Sequence, residues 1–256
     1  MIIKGIIFDY GFTLFFFENP SLERYTECFK KGLLKSIKLL KEKQVWSGRI
    51  SDELFVKEFF KKRQRFWREG IKTKIEFPTS FIYQEVLESL EKDNLVNNID
   101  HIDEDTYENL AEIYHSFERE EWKPFPKTKE TLEELSKHKH IKLAVLSNHP
   151  HHKTIENSLK EYNLFEYFDA VVTSAEFGKR KPDPEIFLYT LKKMELSENY
   201  DCLVCGDEYV DVVGGDRAGM QTILCERIYK FPFEREINVP NLLRINDISE
   251  VLNYIT

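Results

Sequence analysis

The chain reads as an α/β protein, a doubly wound parallel sheet (a Rossmann-like core) interrupted by an inserted helical module. Three observations carry this. Five short apolar runs, Ile2 to Phe8, Leu143 to Leu146, Ala170 to Val172, Leu203 to Cys205 and Thr222 to Leu224, are continuous rather than alternating, as strands covered on both faces are. Helical patterns separate the later runs, so strand and helix alternate. One long segment, from about Glu18 to Trp122, carries helical periodicity with no strand signal. At 256 residues and 41% hydrophobic content the chain can bury a full α/β core together with a smaller second module.

In chain order, the first run is broken by Lys4 and ends at Asp9 with no small-residue cleavage site after it, which makes it a strand and not a signal sequence. Phe15, Phe16 and Phe17 are expected to pack the junction of the two parts. Leu22, Tyr25, Phe29 and Leu40 then mark one helix and Leu54 to Phe66 a second. Phe81 to Leu90 marks a third, and Leu110, Ile113, Tyr114 and Phe117 a fourth. Pro124 and Pro126 signal the return to the sheet. Leu132 with Leu135, and Ile155 with Leu159, repeat at helical spacing within Thr131 to His138 and Thr154 to Tyr162. Asp183 and Pro184 have the character of an N-cap and a first helical residue. The expected division is an α/β core from residues 1–17 and 122–256 and a helical domain from 18–121.

Composition excludes some functions. A net charge of -8 repels nucleic acid and anionic membranes on average, so neither is an expected partner. No stretch has the length of a membrane span, and a cytoplasmic location is expected. Four cysteines are too few for a disulfide scaffold; Cys202 and Cys205 read as buried strand thiols, there being no second pair to complete a zinc site. The basic run Lys61, Lys62, Arg63, Arg65 and Arg68 reads as the solvated face of an amphipathic helix, with attraction of an anionic substrate as its functional alternative. Nothing in the sequence reports the oligomeric state.

Reactive groups of open α/β sheets gather beyond the carboxyl ends of the strands. Asp9 follows the first run, Ser147 and Asn148 the second, Gly206 and Asp207 the fourth. Two carboxylates and a hydroxyl are thereby expected on one edge. A carboxylate is a nucleophile already ionised at neutral pH, which suits a covalent phosphoryl transfer. The charge of the transferring group calls for a cation, a lysine and hydrogen-bond donors.

FDYGFTL (Phe8 to Leu14), LSN (Leu146 to Asn148), KPDPEIF (Lys181 to Phe187) and GDEYVDVVGGDRAGM (Gly206 to Met220) resemble, in order, the four motifs of the haloacid-dehalogenase-like (HAD) hydrolase superfamily. The helical segment resembles, by position and character, the cap which that superfamily inserts after its first motif. The resemblance implies a magnesium-dependent phosphatase acting on a small phosphorylated metabolite, with Asp9 as nucleophile. It implies that Thr13, Ser147 and Lys181 offset the phosphoryl charge and that Asn148 joins Ser147 and Lys181 in holding substrate. It also implies Mg2+ ligation by Asp9, Asp207 and the carbonyl of Gly11, with Asp211 supporting them directly or through water. Each residue has a plainer reading: Lys181 as a solvated lysine before a helix, Asp211 as an acid in a first turn, Thr13 and Ser147 as turn and strand-end residues.

One position departs from the family. Its phosphatases carry a second aspartate two residues after the nucleophile, which protonates the leaving group and then activates water. Here that position is Gly11, followed by the bulky Phe12. Glycine transfers no proton. Three readings remain: a phosphatase for substrates with a good leaving group, a 2-haloacid dehalogenase using the same Asp9, or a non-catalytic phosphate-binding protein. His149, His151 and His152 offer ring nitrogens that titrate near neutrality, and loop packing is the alternative use for each.

Overall fold

A computed structural model describes residues 3–226 and 235–255; Ile2, expected at the start of the first strand, lies outside the described residues. The chain opens with strand β1 (Gly5–Phe8) and a short strand β2 (Phe15–Phe17). Four long helices follow, α1 (Leu22–Glu42), α2 (Asp52–Thr73), α3 (Thr79–Lys92) and α4 (Glu104–Glu121). The chain then continues through β3 (Trp122–Pro124), α5 (Thr128–Leu135), β4 (Lys142–Ser147), α6 (His152–Glu161), β5 (Ala170–Thr173) and α7 (Ser174–Phe177). Next come α8 (Pro184–Lys193), β6 (Cys202–Gly206), α9 (Tyr209–Arg217), β7 (Gln221–Cys225) and β8 (Leu243–Ile245). It divides into two compact units, Met1–Glu18 with Trp122–Thr256, and Asn19–Glu121.

The helical unit closes on its own core. Leu33, Ile37 and Leu40 of α1, Phe55 and Phe59 of α2, Tyr83 and Leu87 of α3, and Leu110 and Tyr114 of α4 are all fully buried together. Ser21 and Ser51 start α1 and α2 by accepting the amides of Arg24 and Leu54, which satisfies first-turn donors with no helical partner. The basic run lies on α2. Lys62 donates to the Glu85 carbonyl and carboxylate at 2.7 and 3.2 Å, and the Arg63 guanidinium lies 4.3 Å from the ring centre of Phe29. Lys62 and Arg63 thus pack against the unit itself. No helix among the described residues is long and apolar enough to cross a membrane.

The other unit holds a six-stranded sheet in the order β5-β4-β1-β6-β7-β8, parallel throughout. β1, β4 and β6 carry almost wholly buried side chains, which explains their unbroken apolar sequences. The edge strand β8 has no such signature, since Arg244 in its middle is exposed. Asp183 caps α8 by accepting the Glu185 amide at 3.0 Å, and Pro184 opens that helix. β2 and β3 form a separate antiparallel ribbon in which Phe17 faces Trp122. The four cysteines are free and buried; burial pushes the thiols of Cys202 and Cys225 up to about 12, which suits inert packing groups.

Candidate active site

The order β4-β1-β6 places three neighbouring strands so that their carboxyl ends deliver Ser147, Asp9 and Asp207 side by side. The Asp9 amide donates to the Cys205 carbonyl at 2.9 Å, carrying the sheet register one residue past β1 and fixing the nucleophile candidate against β6. The chain then folds back at once. The amides of Leu14 and Phe15 donate to the Tyr10 carbonyl and the Phe12 amide to that of Phe15. Those bonds leave the Gly11 carbonyl without a main-chain partner among the described residues. Thr13 sits in this turn, buried, and its hydroxyl donates to Asp207 Oδ1 at 3.3 Å.

Asp9, Asp207 and Asp211 each present a carboxylate oxygen within 4.8 Å of the others. Asp211 reaches the cluster from the first turn of α9, where it forms a capping box with Glu208: its Oδ2 accepts the Glu208 amide at 3.0 Å. Its Oδ1 faces Lys181 Nζ at 2.6 Å. One carboxylate thus caps the helix with one oxygen and serves the cluster with the other. Gly206 permits the approach, because a side-chain carbon there would stand 2.3 Å from Cβ of Asp211.

Lys181 comes from the loop before α8 and has a side chain only 2% exposed. Its ammonium donates to Asp9 Oδ1 at 2.5 Å and to the Leu146 carbonyl at 2.7 Å. Burial pulls this ammonium toward losing its proton, but Asp211 and Asp9 more than offset that and hold it above its ordinary value. Asn148 secures the loop: its Oδ1 accepts the Lys181 amide at 2.8 Å and its Nδ2 donates to the Lys181 carbonyl at 3.0 Å. Asn148→Ala removes both bonds and should cost about 1–3 kcal/mol of stability in chemical denaturation, where a loss near zero would mean the loop is held by other contacts. Ser147, buried at the end of β4, lies between Leu146 and Asn148, both of which bind Lys181.

Asp9 and Asp211 share the Lys181 ammonium, so two carboxylates face one cation, with the Asp207 carboxylate beside them and Asp207, Asp211 and Lys181 all buried. Burial raises the Asp9 carboxyl to about 7; Lys181 counteracts this, while Asp211 and Glu208 add to it. Hard oxygen donors in this number and charge suit a small divalent cation, so the residues present fit magnesium.

The three loop histidines are otherwise engaged. His149 Nδ1 lies 2.8 Å from the His151 carbonyl, His151 Nδ1 2.8 Å from Thr154 Oγ1, and His152 Nδ1 3.1 Å from Thr173 Oγ1. Sequence reasoning missed two further residues. Glu208 was legible, since an acid three residues before Asp211 at a helix start is the spacing of a capping box. Trp122 was not, because its meeting with Gly11 depends on the pairing of β2 with β3.

Comparison with known proteins gives a family match and several relatives. Residues 49–225 match the family model of the haloacid dehalogenase-like hydrolases, a span that takes in Ser147, Lys181, Asp207 and Asp211 but not Asp9. The phosphoglycolate phosphatase of Aquifex aeolicus is 40% identical over 102 residues, which are 40% of this chain and 46% of that protein. The glyceraldehyde 3-phosphate phosphatase of Methanothermobacter thermautotrophicus is 35% identical over 111 residues, 43% of this chain and 48% of that protein. The chain thus spans about half the length of these curated relatives. In fold alone it is similar to the 2-haloacid dehalogenase of Pseudomonas syringae pv. Tomato, with a TM-score of 0.62, 21% identity, and coverage of 98% of this chain and 97% of that one.

Proposed function

Because this chain belongs to the haloacid dehalogenase-like hydrolases, we propose that it is a magnesium-dependent phosphatase acting on a small phosphorylated metabolite through an aspartyl phosphate on Asp9. The observation that carries the reading is the cluster of Asp9, Asp207 and Asp211, whose carboxylate oxygens lie within 4.8 Å of one another and form a hard-oxygen donor set suited to a divalent cation. A halide-displacing enzyme has no use for such a cation-binding cluster, which favours the phosphatase over the dehalogenase. The phosphatase relatives point the same way. We assign residues 1–17 and 122–256 to the catalytic core and 18–121 to a helical cap domain.

In this reading Asp9 attacks phosphorus with the carboxylate oxygen not held by Lys181. Lys181 compensates charge on the phosphoryl oxygens and keeps Asp9 oriented, while Asn148 holds the Lys181 backbone. Ser147, with Asn148 beside it, contributes donors toward the phosphoryl group. Thr13 orients Asp207 through its hydroxyl. Magnesium would be held by Asp9, Asp207 and the Gly11 carbonyl, with Asp211 in support; when bound it neutralises charge on the transferring group. Release of inorganic phosphate from labile phosphate compounds only when magnesium is present tests the proposal.

Asp207→Asn gives a separate test. Wild-type protein should gain about 2.7 kcal/mol of apparent stability at magnesium concentrations a hundred times the dissociation constant. The Asp207→Asn protein should melt normally without metal and lose most of that gain, as read by thermal shift against magnesium concentration. An undiminished shift would place the ion elsewhere.

A further inference from the structure

The space beside Gly11 is occupied by a tryptophan. A side-chain carbon built on Gly11 would lie 2.9 Å from Cη2 of Trp122, and 3.4 and 3.6 Å from its Cζ3 and Cζ2. Any larger group at position 11 therefore meets the benzo edge of the indole, whose carbons carry no exchangeable proton. Trp122 is fixed there by its neighbours. The rings of Tyr10, Phe12 and Phe17 meet it edge to face, with centres 5.7, 5.2 and 5.2 Å away, and the β2–β3 ribbon sets Phe17 opposite it. Phe12 holds the left-handed region at φ 58°, which a bulky side chain rarely adopts, and in that conformation its ring packs on the indole. Replacing an acid by glycine would leave a hole; here an aromatic wall fills it.

We infer that Gly11 and Trp122 together set the substrate class: phosphoryl compounds whose leaving oxygen departs as a stable anion, such as acyl phosphates and phosphoanhydrides, with Trp122 as the specificity-determining residue. This rests on the phosphatase reading above. In the first step an Asp9 oxygen bonds to phosphorus and the bond to the leaving oxygen breaks, its electron pair staying on that oxygen. A carboxylate keeps the pair without a proton, since its acid has a pKa of about 4. A phenolate, at about 10, does so less readily. An alkoxide is about as basic as hydroxide, far more so than a phenolate, and needs a proton as the bond breaks. The wall of Trp122 supplies none. In the second step a water oxygen bonds to phosphorus, the bond to Asp9 breaks with its pair returning to the carboxylate, and the water's two hydrogens go to the released phosphate and to bulk solvent. Slow hydrolysis without a base is tolerable for an aspartyl phosphate because it is itself an acyl phosphate.

The test is a leaving-group series with magnesium: acetyl phosphate, substituted phenyl phosphates and an alkyl phosphate, with kcat/KM and melting temperature measured for four proteins. These are wild type, Gly11→Asp, Trp122→Leu and the double variant, leucine being chosen to keep apolar filling. Wild type should favour acetyl phosphate over the alkyl ester by about 100-fold or more, with a steep fall in rate as leaving-group pKa rises. Gly11→Asp alone should melt lower than wild type and gain nothing on the alkyl ester. The double variant should recover melting temperature relative to that single variant and raise alkyl turnover by about 100-fold. Equal wild-type rates on alkyl and phenyl esters would overturn the inference without needing any variant to fold. Full alkyl activity in Gly11→Asp alone would also overturn it, because Trp122 would then be no obstacle. No turnover of any member, acetyl phosphate included, would instead overturn the phosphatase reading and this inference with it.

Discussion

Asp9→Asn is expected to lower phosphate release by at least about 1,000-fold, because the amide is not a nucleophile and Asp207, the other carboxylate at the strand ends, is assigned to the metal. The fold should survive. Lys181 keeps Asp211 at 2.6 Å as its partner, and the repulsion between Asp9 and Asp211 is removed. In metal-free buffer the substitution should also change the pH profile of stability. Burial raises the folded-state pKa of Asp9 from 3.8 to about 7, against the pull of Lys181. The folded state therefore holds this proton more tightly than the unfolded chain, and wild type loses stability as pH rises between those two values. The amide of the variant cannot ionise. The melting temperature of Asp9→Asn should gain on that of wild type between pH 4 and 7 and then run parallel to it, with 4 and 7 being about the two pKa values. A variant that loses activity and stability together at every pH would show that Asp9 holds the fold and leave its chemistry unproved.

How much of this was legible in the sequence depends on the range of the interaction concerned. Strands β1, β4, β5, β6 and β7 announce themselves because burial on both faces makes them locally apolar, and helices α1 to α4 because one face of each must be. Strand β8 carries no such mark, because an edge strand can expose Arg244. The ribbon of β2 with β3 pairs residues more than a hundred positions apart, so the close approach of Trp122 to Gly11 was invisible, and Phe12 stood out as the bulky neighbour instead. Spacing placed Asp9, Ser147 and Asp207 at strand ends. The paired bonds of Asn148 to the Lys181 backbone follow from a loop conformation that no local pattern encodes. Asp211 lay between the two cases: the motif implied support of the metal and its first-turn position left a surface acid as the plainer reading, and it is buried and shared between a capping box and Lys181.

Lys181→Met should have the largest effect on stability, since it removes an ammonium that contacts both Asp9 and Asp211 and leaves the carboxylates facing one another in a buried site. Breaking a buried ion pair from one side typically costs about 3–5 kcal/mol. The loss should be smaller near pH 5, where protonation relieves the uncompensated charge, and should grow toward pH 8 as the carboxylates are forced to ionise. Magnesium should restore part of it, because the cation would take over the compensation that Lys181 gives. Turnover should still fall by about 100- to 1,000-fold with magnesium present, as the charge on the phosphoryl oxygens loses a donor that the metal does not replace. Lys193→Met is the control: Lys193 pairs with Glu176 at 3.1 Å with a side chain 45% exposed, and removing such a pair changes stability by about 1 kcal/mol or less. Urea denaturation of both variants at pH 5 and pH 8, with and without magnesium, separates these expectations. A Lys181→Met protein as stable as wild type at pH 8 without metal would mean that Asp9 and Asp211 are already screened without Lys181, and their repulsion would no longer argue for a cation.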